Sequence, residues 1–283
     1  MAISTRIKEA INSGLSGLNL ELETLTSKKN ELERINRLEK KGQFKDAIYE
    51  PCQNMVNFNA SKIIDAYSNN IAEIDNLNDP IGNKVGYDPT NTFFNAPDAE
   101  ILYLMVKSHQ PKRIIEIGCG SSTRISRRAI SDGGFACQLV AIDPQPRNEI
   151  SDLVDVVIRK RLEEVDDLSI FQTLTAGDIL FIDSSHECRI GNDVAQIFCR
   201  IIPALAPGVI VHVHDIFLPY EYPVDWALSE WYWGEQYLLQ MLLASNAYEV
   251  LWPGHYVQKT RPELSKDLPF MSKGRAQSFW FRR

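Results

Sequence analysis

Acidic and imidazole side chains follow two hydrophobic stretches in the second half of the chain, a combination that suits proton transfer. The stretches Asp178–Ile182 and Val209–Val213 have the apolar composition of buried strands. The polar residues that follow them are Asp183, Ser184, His186, His214 and Asp215. Because an imidazole titrates near neutral pH, we expect His186 or His214 to serve as general base on the edge that also holds Asp215. The alternative is that each histidine only hydrogen-bonds a loop carbonyl.

A glycine turn lies upstream of these residues and could bind an anionic or strongly polar ligand. The stretch Arg113–Ile117 predicts a strand buried on both faces, and the serines after the turn are favourable first residues of a helix. Glycine lets the backbone approach a ligand closely, and a helix N-terminus carries unpaired N–H groups. The residues expected to bind the ligand are Glu116, Gly118, Cys119, Gly120, Ser121 and Ser122. The alternative is a turn that binds nothing.

The order of residues in Glu116–Gly120, an acidic residue, a spacer and Gly-x-Gly, resembles motif I of the class I S-adenosylmethionine-dependent methyltransferases. The dinucleotide fingerprint of NAD-binding proteins needs a third glycine where this chain has Thr123. An NAD(P)-dependent oxidoreductase is therefore the weaker enzyme hypothesis. The resemblance implies S-adenosylmethionine as cofactor. We expect Glu116 and Asp183 near its methionine ammonium group, directly or through water, with Ser184 beside them.

Further cofactor contacts are expected at the ends of the next two strands. Asp143 ends the predicted strand Gln138–Ile142, and a carboxylate there can accept both ribose hydroxyls of a nucleoside. The alternative is that Asp143 is only an Asp-Pro turn residue. Arg161 and Leu162 follow a short predicted strand and are expected to cover the adenine.

A closer resemblance covers residues 90–283. Three segments look like the methyltransferase domain 24 family: GDILFIDSSHE, ALAPGVIVHVHDIFLPYEYP and WGEQYLL. This resemblance implies an enzyme that methylates a small molecule with S-adenosylmethionine. The chain departs from the family's commonest motif I at Ser122, where many members have a third glycine.

A divalent metal is a weaker expectation. Some O-methyltransferases hold such an ion with carboxylates at the ends of the fourth and fifth strands, and Asp183 and Asp215 occupy comparable positions. Magnesium prefers sites made of oxygen ligands, whereas His214 stands within this set. A metal is therefore not favoured.

An aromatic segment after Asp215 is the expected wall of the acceptor pocket. The loop Ile216–Trp226 and the predicted helix Trp231–Leu243 supply Phe217, Tyr220, Tyr222 and Trp233. Such side chains offer apolar walls with polar tips, as small-molecule sites commonly do. The alternative is that they only pack the loop onto the sheet.

Strands alternate with helices through most of the chain, which predicts an α/β fold with a parallel sheet. Five strands follow this pattern, and Glu249–Trp252 and Gln277–Phe281 read as an antiparallel pair at one edge. The family resemblance implies the same arrangement, the Rossmann-like seven-stranded class I methyltransferase sheet.

The first 80 residues predict a helical extension to a catalytic domain of residues 81–283. Leu18, Leu22, Leu25 and Leu32 have a heptad-like spacing on one amphipathic helix. This helix could lie on its own domain or form a coiled coil between two copies, which predicts a homo-oligomer. The loop Asp79–Asn95 is a candidate binding loop because it is long and precedes the glycine turn.

The composition excludes several classes of function. A net charge of −7 and a pI near 5.4 argue against a nucleic-acid or anionic-membrane surface. Five cysteines without a CxxC pair favour a reducing cytoplasm, and no apolar run predicts a signal peptide or membrane span. The leading hypothesis is a methyltransferase acting on a hydroxyl, less favourably an amine, of a small metabolite or sugar. A nonenzymatic dimeric nucleoside-binding scaffold is the hypothesis from another class.

Overall fold

A computed structural model describes residues 5–22, 25–77, 85–147, 149–245 and 247–283. Its strands are β1 (Arg113–Ile117), β2 (Gln138–Ile142), β3 (Val156–Ile158), β4 (Ile179–Ile182), β5 (Ile210–Val213), β6 (Glu249–Pro253) and β7 (Phe279–Arg282). They form one sheet with the order β3-β2-β1-β4-β5-β7-β6. The first five strands run parallel, and β7 is antiparallel to both β5 and β6. The predicted seven-stranded class I methyltransferase sheet is confirmed.

The register of the central strands brings their carboxyl ends to one edge. Ile117 of β1 pairs with Ile182 of β4, which in turn pairs with Val213 of β5. The chain therefore leaves all three strands at the same level. Ligands of open parallel sheets bind outside this edge, near the change in strand order.

The described residues form twelve α-helices. They are α1 (Thr5–Leu15), α2 (Leu25–Lys40), α3 (Gln53–Val56), α4 (Ser61–Ser68), α5 (Ile71–Leu77), α6 (Asp98–His109), α7 (Ser121–Gly133), α8 (Asp193–Gln196), α9 (Ile202–Ala204), α10 (Val224–Leu228), α11 (Glu235–Leu243) and α12 (Gly254–Thr260). A π-helical segment, Ile197–Ile201, joins α8 to α9. The 3-10 segments are Ser16–Leu18, Leu162–Glu164, Leu168–Thr173, Pro262–Lys266 and Pro269–Ser272. No helix of the described residues is long and apolar enough to cross a membrane.

Two hydrophobic clusters form the core. Alternate residues of β1 belong to different clusters: Ile114 packs with residues of α6 and α7, whereas Ile115 packs with the segment from α8 to α9 and with α11. This division follows from the period of two along a strand buried on both faces. It leaves Glu116 on the same side of β1 as α7.

The described residues divide into two compact units. The smaller contains the residues up to Asp46 together with Tyr222–Trp231, and the larger contains the rest. The helices α3 to α5, which belong to the predicted extension of residues 1–80, are part of the larger unit. The predicted boundary between residues 80 and 81 lies outside the described residues, as do residues 79–84 of the predicted binding loop.

The leucine seam expected in the smaller unit is interrupted. Leu18 lies in a 3-10 segment that ends at Asn19, whose φ of 54° is left-handed, and Leu22 follows in a non-helical segment. The expected single amphipathic helix is therefore two helices, α1 and α2. Within this unit α2 packs against α10, and Lys28 Nζ lies 2.9 Å from Glu230 Oε2.

Candidate active site

Six side chains meet at the carboxyl edge of the sheet, and we call them the carboxylate–histidine cluster. Its members are Asp98 at the start of α6, Asp183 and His186 after β4, His214 and Asp215 after β5, and Glu235 at the start of α11. All six belong to the larger unit. The three residues predicted to be catalytic, His186, His214 and Asp215, therefore lie together.

His186 lies between three carboxylates. Its Nδ1 contacts Glu235 Oε1, while its Nε2 is 3.4 Å from Asp183 Oδ1 and 3.5 Å from Asp215 Oδ2. The imidazole also stacks on Trp233, with the ring centroids 4.1 Å apart and the planes at 29°. Both ring nitrogens and one ring face are thus engaged.

His214 lies on the other side of the same carboxylates. Its Nδ1 is 3.4 Å from Asp215 Oδ2 and 3.7 Å from Asp183 Oδ1, and its Nε2 is 3.4 Å from Asp98 Oδ2. Asp98 also accepts hydrogen bonds from the backbone N–H groups of Gln277 and Ser278. The side-chain amide of Gln277 donates to Asp215 Oδ1 over 2.7 Å, so the segment that precedes β7 holds the cluster from one side.

The cluster retains protons strongly. Burial on its own would lower the pKa of His186, but Glu235, Asp183 and Asp215 outweigh burial and hold that pKa well above its usual range. Asp215 and Asp183 raise the pKa of His214 in the same way. Among the described residues, the four carboxylates form ion pairs only with these two histidines. Two imidazoles therefore face an excess of negative charge.

The backbone is unusual at two members of the cluster. His186 has a φ of 63° and Asp215 a φ of 58°, the left-handed region that side chains other than glycine seldom adopt. Such residues cost about 1–3 kcal/mol each and concentrate at functional sites. The loops after β4 and β5 thus contain strained backbone at the two residues whose side chains belong to the cluster.

The glycine turn packs directly against the end of β4. Gly118 has a φ of 80°, and a Cβ there would lie 1.8 Å from the backbone oxygen of Asp183. A Cβ on Gly120 would instead meet open space. The first glycine is therefore required by packing, and the second leaves room above the turn.

A cleft lies above this turn. Its lining residues are Phe93, Phe94, Cys119, Gly120, Ser121, Ser122, Arg147 and Asp183. The guanidinium of Arg147 lies 4.1 Å from the ring centroid of Phe93. Asp143 is fixed at the turn because it accepts hydrogen bonds from the backbone N–H groups of Cys119 (3.0 Å) and Gln145 (2.7 Å). Five of the eleven predicted cofactor residues thus line one space: Cys119, Gly120, Ser121, Ser122 and Asp183.

Three predicted cofactor residues lie elsewhere. Glu116 is fully buried beneath the turn and accepts hydrogen bonds from the hydroxyls of Thr123 (2.6 Å) and Ser126 (2.7 Å). Burial raises the pKa of Glu116 to about 7, and these contacts support a structural role instead of direct contact with an ammonium group. Leu162 is buried in the core cluster below β1, and Arg161 is exposed beside Glu163.

The predicted acceptor residues are divided between the two units. Phe217 and Tyr220 both pack edge-on against His255, with ring centroids 5.0 and 5.4 Å apart. Trp233 stacks on His186. Tyr222 belongs to the smaller unit, where its ring stacks on Trp226. In the larger unit, therefore, Trp233 contacts the cluster directly.

Sequence reasoning missed six residues at this edge. They are Phe93, Phe94, Asp98, Arg147, Glu235 and Gln277. Phe93 lies in the loop that was predicted to bind a ligand, and Glu235 lies in the segment WGEQYLL that carried the family resemblance. Asp98 and Gln277 gave no local signal because they reach the cluster only through tertiary packing.

Comparison with known proteins agrees with this geometry. Residues 115–216 match the family model described as a methyltransferase domain. This segment begins in β1 and ends just after Asp215, so it spans the glycine turn and the ends of β4 and β5. Over this segment the chain is similar to methyltransferase domains. The cofactor of such a domain is S-adenosylmethionine.

Solved structures with low sequence identity resemble the chain. Rv0187 from MTB in a cofactor-bound form is 18% identical, with 77% of this chain and 89% of that chain covered at a TM-score of 0.41. The SAH-bound methyltransferase PaMTH1 of Podospora anserina is 14% identical, with 93% and 98% covered and a TM-score of 0.40. An O-methyltransferase of Bacillus cereus in complex with SAH is 13% identical, with 98% of both chains covered and a TM-score of 0.38. No curated protein matches the chain.

The cleft suits the cofactor of this class. The open space at Gly120 admits a ligand next to the backbone of the turn. The hydroxyl of Ser184, beside Asp183, is buried and has no hydrogen-bond partner among the described residues. A polar ligand group would satisfy it. On these grounds we propose Gly120, Ser121, Ser122 and Asp143 as cofactor-binding residues.

Three side chains of the cluster offer possible ligand atoms for a metal ion. Asp183, His186 and Asp215 each offer a ligand atom, and the three atoms all lie within 4.8 Å of one another. One of the three ligands is an imidazole nitrogen, whereas magnesium prefers sites made of oxygen ligands. A metal therefore stays a weaker expectation.

Proposed function

We propose that the protein transfers the methyl group of S-adenosylmethionine to a hydroxyl oxygen of a small molecule. The observation that carries this proposal is the position of Asp183. Its side chain lines the cleft above the glycine turn, and its Oδ1 lies 3.4 Å from His186 Nε2. A cofactor bound in the cleft would thus lie near a group that can take a proton.

The chemistry needs alignment and removal of one proton. The acceptor oxygen attacks the methyl carbon in line with the breaking C–S bond, and the sulfonium becomes the neutral thioether S-adenosylhomocysteine. The hydroxyl proton must leave as the new C–O bond forms. We propose His186 as the group that takes it, with His214 and Asp215 supporting it across the cluster. Because the pKa of His186 is raised, the unprotonated base becomes more abundant, and turnover faster, as the pH rises.

A hydroxyl is preferred to an amine because of the charge at this edge. The excess of carboxylates would favour binding of an ammonium group, which has no lone pair for attack until it loses a proton. A small acceptor is supported by the aromatic side chain of Trp233, which stacks on His186. Apolar walls with a few placed polar groups are typical of small-molecule sites.

Calorimetry tests the cofactor and separates the three hypotheses. S-adenosylmethionine and S-adenosylhomocysteine should bind, and NAD should not. Binding of NAD alone would favour an oxidoreductase, and binding of a nucleoside without turnover on any acceptor would favour a scaffold. Transfer of a labelled methyl group to a panel of hydroxyl and amine compounds then tests the acceptor. The same assay after treatment with EDTA tests the metal, and we expect activity to survive.

We propose that two copies associate through the smaller unit. Leu18 and Leu25 are largely exposed there, and exposed leucines in clusters often mark interfaces. Light scattering should give the mass of a dimer for the wild type and of a monomer when Leu18→Lys and Leu25→Lys are combined. An unchanged mass in that variant would reject the role of this surface. All five cysteines are free, which supports the proposal of a cytoplasmic location.

A further inference from the structure

A buried glutamate outside the predicted site contacts the candidate base. Glu235 is fully buried at the first position of α11, and its Oε1 contacts His186 Nδ1. Its other carboxylate oxygen has no hydrogen-bond partner among the described residues. A buried carboxylate is energetically costly without a partner. The interaction with His186 therefore stabilises Glu235 in its buried position.

The backbone joins the same two residues. The N–H groups of Gly234 and Glu235 donate to the carbonyl oxygen of His186 over 2.9 and 3.3 Å. The sequence predicted that α11 begins at Trp231, whereas it begins at Glu235. These contacts explain the difference, because the N–H groups at the start of α11 donate to the loop after β4. The start of α11 is thereby attached to the left-handed residue His186.

The imidazole is fixed by contacts on three sides. Glu235 takes Nδ1, Trp233 stacks on one face at 4.1 Å, and the backbone contacts hold the main chain. The remaining nitrogen, Nε2, is directed between Asp183 Oδ1 and Asp215 Oδ2. When Nδ1–H donates to a carboxylate, Nε2 is the nitrogen left to exchange a proton.

We propose that Glu235 is a positioning residue for His186. It keeps the ring proton on Nδ1 and directs Nε2 to the side of the cluster that borders the cofactor cleft. This inference rests on the proposed function for the consequence in turnover, but the orientation of the ring is independent of it. Glu235 itself does not line the cleft above the glycine turn.

Imidazole ¹⁵N–¹H spectra test the orientation without any acceptor. His186→Gln identifies the signals of this ring by their loss. In the wild type the proton on Nδ1 should be protected from exchange with water, because it is donated to a buried carboxylate. Glu235→Gln, which keeps an acceptor oxygen, should preserve the Nδ1 proton, and Glu235→Leu should lose its protection. A protected Nδ1 proton in Glu235→Leu would overturn the proposal.

Kinetics with an acceptor found in the methyl-transfer assay test the consequence. Glu235→Leu should lower kcat about 10–100-fold, with Glu235→Gln in between, while the KM for the acceptor changes little. In the His186→Gln background, Glu235→Leu should cause no further loss. Full turnover in Glu235→Leu, or an equal loss in both backgrounds, would overturn the proposal.

Two controls separate this inference from stability and from the proposed function. Asp178→Asn alters another buried carboxylate, which binds the backbone of Lys112 and Arg113 at the opposite end of β4. It should lower stability without changing the His186 signals. Calorimetry with S-adenosylhomocysteine reports on the proposed cofactor site alone, so failure to bind it would reject the proposed function and leave the ring spectra to decide the role of Glu235.

Discussion

The glycine turn and the carboxylate–histidine cluster are neighbours, but they are built in different ways. The turn consists of consecutive residues from Gly118 to Ser122, and it offers mainly backbone groups and open space. The cluster collects side chains from four separate segments, including the starts of α6 and α11. A ligand site made of backbone groups can be recognised from a short stretch of sequence. A site for proton transfer is made of side chains that are far apart in the chain. Their positions in the sequence do not indicate which of them are close in space.

The variant His186→Gln should distinguish the functions of the two regions most clearly. This variant should lower turnover by about 10²–10⁴-fold, the usual contribution of a general base. Its affinity for S-adenosylhomocysteine, measured by calorimetry, should stay within about threefold of the wild type, since His186 does not line the cofactor cleft. Tyr220→Phe should give a smaller loss of turnover with equally normal binding. Loss of cofactor binding in both variants would show that the two regions form a single site.

The two glycines of the turn should respond oppositely to substitution. Gly118→Ala should lower the free energy of unfolding by about 2–4 kcal/mol, because its Cβ would overlap the backbone oxygen of Asp183 and its φ is left-handed. Gly120→Val should leave stability within about 1 kcal/mol of the wild type and abolish binding of S-adenosylhomocysteine. Urea unfolding and calorimetry on both variants check this. A stable Gly118→Ala protein would contradict the close packing of the turn against β4.

Asp143 tests the cofactor side alone. Asp143→Ala should weaken binding of S-adenosylhomocysteine by about 1–3 kcal/mol, because ribose hydroxyls would lose a charged acceptor. It should also loosen the turn, since Asp143 accepts a hydrogen bond from the N–H of Cys119. Asp143→Asn, which keeps one acceptor oxygen, is the matched control and should lose less. Wild-type binding in both variants would place the ribose elsewhere.

The same contrast explains how much could be predicted from the sequence. Local sequence determines the hydrophobic strands, the glycine turn and the polar residues at strand ends. The sheet and the site residues between Asp183 and Asp215 were therefore predicted. The roles of Glu116 and Leu162 depend on which face of an element meets the core, and the structure turns both inward. Glu235 could not be predicted, because nothing local marks a glutamate that pairs with a histidine 49 residues away.

The pH dependence of stability tests whether Glu116 belongs to the base of the turn. Burial raises its pKa from 4.5 to about 7 in the folded protein, so between these values the folded state binds more protons than the unfolded state. The contribution of Glu116 is therefore fully present below about pH 4.5 and is lost as the pH rises through 7. From pH 5 to 7.5 this loss should amount to about 2 kcal/mol in the free energy of unfolding. Urea unfolding of Glu116→Gln should show a decline over this range that is smaller by that amount. Ser126→Ala removes a hydrogen bond to the charged form, raises the pKa of Glu116 in the folded protein and should extend the decline to higher pH. Parallel pH profiles of the wild type and Glu116→Gln would mean that Glu116 is already ionised in the folded protein, and a role at the cofactor's ammonium group would then regain support.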